Sequence, residues 1–354
     1  QHFFGAPAEI ATIGSEPAQL IVGKQIAGKS SRYIRVETDK MSVLIDKLGG
    51  RLVKVTFADY SQAGELTSFF GRDEDSYLDT QAGIVGDESL LFSSSSNQYR
   101  VNEGRAKVIL QATDKRGVRY SKEFSFAAGD YKIGLDARVQ NGSQEEVSAG
   151  SYFVITGDKM SSLEKSPPKP ADLSFDTGSS AMSGPTRGYS GVSYTTKSKP
   201  NVRVKFNEMD TKEPDVTRGG WVAFQKHHFI AAWVLDNNAY KVRNFWLEGK
   251  RAADSDTFEQ RFATQAASGR KALQPGESFS STSTLYVGPQ DPKALALLDS
   301  SLRLTMDYGF FWMFASFLHK GLDLVHTVVP NWAMSLIVLT LLSRLLFYKS
   351  MKEQ

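Results

Sequence analysis

Residues 118–126 read Val118-Arg119-Tyr120-Ser121-Lys122-Glu123-Phe124-Ser125-Phe126, and residues 33–38 read Tyr33-Ile34-Arg35-Val36-Glu37-Thr38. Apolar and polar side chains alternate, less strictly in the longer stretch than in the shorter. A period of two sends successive side chains to opposite sides of an extended chain, the mark of a strand with one buried face. Working outward, residues 41–45, 52–57, 107–111, 131–139, 150–155, 220–224, 229–234 and 279–287 are further strand candidates. Turn formers separate many of them: Leu48-Gly49-Gly50, Lys115-Arg116-Gly117, Ala128-Gly129-Asp130, Asn141-Gly142 and Pro275-Gly276. So many strands beside so few helical stretches predict a mainly β fold, with one large β-sandwich over residues 31–290. Residues 1–30 lack sustained periodicity and read as a linker. The Pro-rich stretch 165–172 and the serine tract 93–96 read as loops.

The composition fits such a domain. At 41% apolar and 23% charged residues, the 354-residue chain can bury a sizeable core. A net charge of +3, with no Lys/Arg block interleaved with aromatics, gives no reason to expect nucleic acid as a partner. The absence of cysteine excludes disulfides, thiolate zinc sites, iron–sulfur clusters and a Cys nucleophile.

The C-terminal end departs from the soluble pattern. From Pro330 the chain reads PNWAMSLIVLTLLSRLLFYKSMKEQ, and residues 330–348 would span roughly 28 Å as a helix, about the thickness of a bilayer core. Trp332 and Tyr348 stand near its two ends, where interfacial aromatics belong. Lys349 and Lys352 follow, and the positive-inside bias then puts the C-terminus in the cytoplasm. Residues 330–350 are thus expected to be a transmembrane helix, with 351–354 a cytoplasmic stub; a buried core helix is the alternative. Arg344 lies in the last third of the span, where snorkelling lowers the cost of its charge.

The preceding residues 307–329 have a different pattern. Ser316, His319 with Lys320, Asp323, and His326 with Thr327 recur at three- to four-residue spacing. They form one polar stripe on a helix otherwise covered by apolar residues, among them Trp312, Phe314 and Phe317. Such a helix can lie in the membrane interface or pack on a soluble core. Residues 291–306 read as a short connecting helix, and Pro330-Asn331 breaks the chain before the span.

The stretch 286–354 carries a resemblance. Its YVGP at 286–289, Asp307-Tyr308-Gly309, Asn331-Trp332 and the following apolar helix with one arginine resemble the junction of the YidC/Oxa/Alb membrane protein insertase family. MSVLIDKLGGRLVKVTF (41–57), KEFSFAAGDYKIGLDARVQN (122–141) and GGWVAFQKHHFIAAWV (219–234) are similar to the periplasmic domain of Gram-negative members. The resemblance implies a function: assisting insertion and folding of inner-membrane proteins, alone or with the Sec translocon, without a nucleotide or other cofactor. Its implied partners are nascent inner-membrane proteins, Sec components and the lipid bilayer. It also implies a hydrophilic groove containing an arginine, onto which Arg344 maps. Thr340, four residues earlier, shares that helix face and is the second groove candidate. Read from the residues alone, Arg344 is equally a positive-inside anchor.

Against the family pattern, the chain is expected to begin after the first transmembrane helix and to stop after the second. On that reading it cannot form the groove by itself. It also has Lys349 where many relatives carry proline.

Catalytic motifs are missing. The sequence contains neither a phosphate-binding G-x-x-x-x-G-K-[ST] nor a G-x-S-x-G nucleophile elbow. His227 and His228 are neighbours in or beside a strand, so they would face opposite sides and could not grip one metal together. His319 and His326 fall on the polar stripe and read as solvated, and Asn141-Gly142-Ser143 reads as a turn. Large sandwiches of this kind also resemble the galactose-mutarotase superfamily. A sugar- or peptide-binding module on a membrane anchor is therefore the second expectation, although no acid–base pair for sugar chemistry can be assembled.

Overall fold

The computed structural model describes residues 32–62, 65–72, 77–158, 189–204, 209, 214–226, 228–247, 261–306, 321–322, 324–327 and 330–351. It divides into two compact units, one carrying the β structure through Thr305 and one carrying the C-terminal residues from Met306. The expectations for residues 1–30 and 165–172 lie outside the described residues.

The β unit opens with β1 (Tyr33–Thr38), β2 (Met41–Asp46), β3 (Arg51–Gln62), β4 (Glu65–Arg72) and β5 (Tyr77–Ile84). β6 (Gln98–Val101), β7 (Arg105–Thr113), β8 (Arg119–Ala127), β9 (Lys132–Gln140), β10 (Val147–Ala149) and β11 (Ser151–Asp158) come next. Then run β12 (Gly191–Tyr194), β13 (Val202–Val204), β14 (Asp215–Arg218), β15 (Trp221–Lys226), β16 (Phe229–Val234) and β17 (Ala239–Leu247). The last strands are β18 (Arg261–Ser268), β19 (Lys271–Leu273) and β20 (Ser278–Pro289). Helix α1 (Pro292–Leu298) follows in the same unit, and helix α2 (Trp332–Met351) belongs to the second.

Ten strands form the first sheet in the order β14-β17-β18-β11-β5-β4-β3-β2-β1-β6, and eight form the second, β13-β12-β15-β16-β20-β9-β8-β7. Only β1–β6 among the described pairs is parallel. The fold is the mainly β sandwich that the alternation predicts. In β9, Ile133, Leu135, Ala137 and Val139 are buried while Lys132, Asp136, Arg138 and Gln140 lie outside or at the margin. Full burial of one such aliphatic side chain contributes about 1.5–3 kcal/mol.

The two sheets meet in one continuous apolar core. Phe224 of β15 stacks on Phe262 of β18 with ring centroids 5.2 Å apart. Trp233 of β16 donates through Nε1 to Thr80 Oγ1 of β5 at 2.7 Å, and that hydroxyl donates onward to the Val154 carbonyl of β11 at 2.7 Å. A buried polar group costs stability unless it is hydrogen-bonded, and this relay satisfies both.

Several strands escape the alternation rule. β5 is buried along nearly its whole length and β12 along all four residues, so neither has a solvent face to impose a period of two. The tract 93–96 is mostly exposed, as read, but Ser93 makes an isolated bridge to Gln111. The connecting helix is shorter than residues 291–306. Asp291 caps α1 by accepting from Lys293 N, Pro292 opens it, and it ends at Asp299 before a 3₁₀ turn, Leu302–Thr305.

Candidate functional site

Two arrangements bear on function: the connection that leaves the sandwich, and the C-terminal helical unit.

Side chains in and beside the second sheet hold the connection by hydrogen bonds. Leu295 and Leu302 are fully buried against the β unit. Trp221 of β15 donates through Nε1 to Ser301 Oγ at 2.8 Å, and Gln225 of the same strand donates through Nε2 to the Thr305 carbonyl at 2.6 Å. Gln225 Oε1 in turn accepts from Ser193 Oγ at 3.0 Å, so both ends of this buried amide are used. Asn201 Nδ2 donates to the Leu304 carbonyl at 2.7 Å. The chain is thus tied to the sandwich up to its last residue in that unit.

In the second unit, residues 321–322 and 324–327 are helical, and α2 follows the Pro330-Asn331 break. Asn331 starts α2 as a cap: its Oδ1 accepts from Met334 N at 3.2 Å, and its carbonyl accepts from Ser335 N at 2.9 Å. The helix therefore begins at Trp332, two residues later than the 330–350 expected. Gly321 packs against α2 closely enough that a Cβ there would lie 3.2 Å from Leu339 Cδ1. Ser335 is fully buried on the same side. Elsewhere on α2, Met334, Leu336, Ile337, Leu341 and Leu342 are exposed, each by about half or more.

The residues singled out from sequence fare differently. Trp332 is 56% exposed and stacks on the His326 ring at 3.8 Å with an 11° interplanar angle. This corrects the reading of His326 as a solvated stripe residue, because one ring face is covered by an indole. Thr340 is exposed, and its hydroxyl donates to the Leu336 carbonyl at 2.7 Å, back along its own helix. Position 344 falls one turn beyond Thr340 on α2, but the side chains of Arg344 and Tyr348 lie outside the described residues. Trp312, Phe314 and Phe317 also lie outside them, as does most of the 307–329 stripe. Among the described residues, no helix is long and apolar enough to cross a membrane, and no group of His, Asp or Glu could hold a metal ion.

Sequence reasoning missed one buried constellation in the sandwich. Lys122 of β8 points inward, and its Nζ donates to the Gly49 carbonyl at 2.8 Å and the Ala82 carbonyl at 2.7 Å. It also faces Asp87 Oδ1 at 3.0 Å. Asp87 further accepts from Tyr152 Oη at 2.6 Å and from Ile84 N at 2.9 Å. The signal was a lysine in the inward register of an otherwise apolar row. The cluster is sealed and every donor of the ammonium is used, so it holds the fold together and offers no access to a substrate.

The family described as the YidC periplasmic domain matches residues 33–320. The membrane protein insertase YidC of Cellvibrio japonicus is 30% identical over 366 residues, covering 97% of this chain and 59% of the relative. That of Shewanella halifaxensis is 29% identical over 339 residues, covering 92% and 57%. The chain thus spans less than two thirds of the length of these relatives. Among solved structures, an active YidC insertase with its first transmembrane domain resolved is similar over 91% of this chain and 56% of its own, at 9% identity and a TM-score of 0.37. A galactose mutarotase-like protein from Lactobacillus casei is similar over 72% of this chain and 99% of its own, at 9% identity and a TM-score of 0.42.

Proposed function

The chain belongs to the YidC membrane protein insertase family, and from that premise we propose that it supplies the periplasmic sandwich, interfacial helix and first groove helix of an insertase. The family places it in the inner membrane with a periplasmic segment. Within that frame, residues 31–290 are the periplasmic sandwich, 307–329 lie along the outer membrane boundary, and 330–350 span the bilayer. The C-terminus is then cytoplasmic.

One observation carries the reading: among its described side chains, α2 displays exposed Met334, Leu336, Ile337, Leu341 and Leu342 and fully buries Ser335 alone. Five large apolar side chains on one helix are costly in water, at about 25 cal/mol per Å² of apolar surface, and lipid removes that cost. The clients of this reading are nascent inner-membrane proteins, and the Sec translocon is a partner for some of them.

The mechanism needs no covalent step. A charged residue of a client costs about 2.5–3.5 kcal/mol at the centre of a spanning helix on insertion scales, and less where water reaches into the membrane. Arg344, read as the groove arginine, adds a fixed positive charge that draws acidic residues of the arriving chain into that wet half. The apolar surface of α2 then lets the client helix slide sideways into lipid. Thr340 lies one turn away, with its hydroxyl already satisfied by Leu336, and so presents little polar demand to the passing helix.

The test is reconstitution of the full-length gene product into phosphatidylethanolamine/phosphatidylglycerol vesicles with a single-span client. Protease protection of the client's translocated end should rise well above that in protein-free vesicles. Protection equal to protein-free vesicles would remove the insertase reading.

A further inference from the structure

His326 and Trp332 are six residues apart, on either side of the Pro330-Asn331 break, yet their rings are stacked at 3.8 Å and 11°. A second contact closes the same corner. Ser335 Oγ donates to the Asn331 carbonyl at 2.9 Å and lies 3.4 Å from His326 Nδ1, the tautomer of the imidazole setting which of the two atoms donates. Ser335 is fully buried, although most of its neighbours on α2 are exposed. One turn further along, Leu339 packs over Gly321, where a side chain would be crowded.

We infer that His326, Trp332 and Ser335 form a clasp that fixes the direction in which α2 leaves the corner, and that His326 is a positioning residue for the groove helix. Three features argue for fixed direction over simple packing. The cap at Asn331 sets the start of α2 to within one residue. The ring stack defines an orientation, since two flat faces 3.8 Å apart and 11° from parallel limit the tilt between the segments that carry them, which aliphatic contacts do not. The serine hydroxyl links the cap carbonyl to the imidazole, so the first turn of α2 and the preceding helical turn cannot rotate independently. Trp332 therefore serves the corner as well as the membrane boundary. The consequence for insertion rests on the reading above, because it assumes that Thr340 and Arg344 act from α2.

The clasp is tested with spin labels at Leu324 and Leu342, both exposed positions, in the full-length gene product in phosphatidylethanolamine/phosphatidylglycerol vesicles. Electron–electron double resonance should give one narrow distance. His326→Ala should broaden it, raising the off-angle population about five-fold, the scale an aromatic pair sets. His326→Phe keeps the stack and should restore most of the narrow distribution, while Ser335→Ala should broaden it partly. Client insertion in the unlabelled variants should fall and recover in the same order. An unchanged distance in His326→Ala, or no recovery in His326→Phe, overturns the clasp. A changed distance with unchanged insertion overturns the positioning role. If the parent protein inserts no client at all, the insertase reading fails, and the label distances still decide the clasp.

Discussion

Lys122 Nζ lies 3.0 Å from Asp87 Oδ1, and neither side chain reaches solvent. The pair joins the two sheets, with Lys122 on β8 of the second and its other partners, Gly49 and Ala82, in the turn after β2 and in β5 of the first. Gly83 makes room for it, since a Cβ there would stand 2.5 Å from Lys122 Nζ and collide with Asp87 Oδ2. Burial works against charge on both groups, raising the Asp87 carboxyl above its ordinary value and lowering the Lys122 ammonium below its own. Removing one partner strands the other. Lys122→Met or Asp87→Leu alone should therefore cost about 3–5 kcal/mol, while the double variant should lose less than the sum of the two, with the Gly49 and Ala82 carbonyls and the Tyr152 hydroxyl still unpaired. Urea unfolding of the whole chain in detergent checks this, and additive losses would mean the two groups do not act as a pair.

The tyrosines set the alkaline limit. Burial pushes the phenols of Tyr120 and Tyr189 up to about 12, against about 10 in an unfolded chain. A raised folded pKa means that the contribution of these groups to stability is complete below pH 10 and is lost as pH rises toward 12. Absorbance at 295 nm should accordingly show part of the tyrosine ionisation delayed past pH 11 and coincident with loss of the β circular dichroism signal. Full ionisation near pH 10 with the fold intact would contradict the burial.

Gln225 holds the end of the sandwich unit through the Thr305 carbonyl. Gln225→Leu leaves that carbonyl and Ser193 Oγ without the amide, an expected loss of about 1–3 kcal/mol, concentrated locally. Limited proteolysis should cut between residues 299 and 306 faster in the variant than in the parent, with the strands still protected. Equal cutting rates would show that the buried Leu295 and Leu302 hold the connection without the amide.

Arg344 separates two roles. As a groove charge, its loss in Arg344→Ala should weaken insertion of clients with acidic translocated segments more than of neutral ones. Arg344→Lys should retain more function than Arg344→Ala, because the sign of the charge is kept. A topology anchor would respond to total positive charge at that end of the helix. A compensating lysine, Ser350→Lys, would then rescue Arg344→Ala for every client. Full rescue by that lysine sinks the groove assignment.

The sandwich was legible wherever one strand face met solvent. Residues 33–38 and 132–140 keep the period of two, and both are strands. β5 was illegible because Asp79 and Gln81, which would mark a solvent face, are buried too. β17 carried a readable alternation, with Tyr240 and Val242 inward and Lys241 and Arg243 turned away, and it went unread. In the C-terminal unit the break at Pro330-Asn331 was plain from the residue types. The His326–Trp332 stack was not, because the two residues lie on opposite sides of that break and helical spacing says nothing across it. The lysine at position 122 was the one irregularity in its strand, and it marked the buried pair.

The strand order also dictates when this domain can finish folding. β9 lies between β8 and β20, so Val139 finds its partner Phe279 only after the chain has been made well past the middle. β11 likewise waits for β18, with Tyr152 paired to Ala267. A chain that emerges from its N-terminal end must hold β11 with one side unmatched until residue 268 arrives, and β9 until residue 286. Such long-range closure is slow, and open strand edges invite association with other chains. The last strand to be delivered, β20, runs directly into Asp291 and α1. Completion of the sandwich thereby comes before α2 is produced, so the strand edges that most need protection are matched before the exposed apolar side chains of that helix appear.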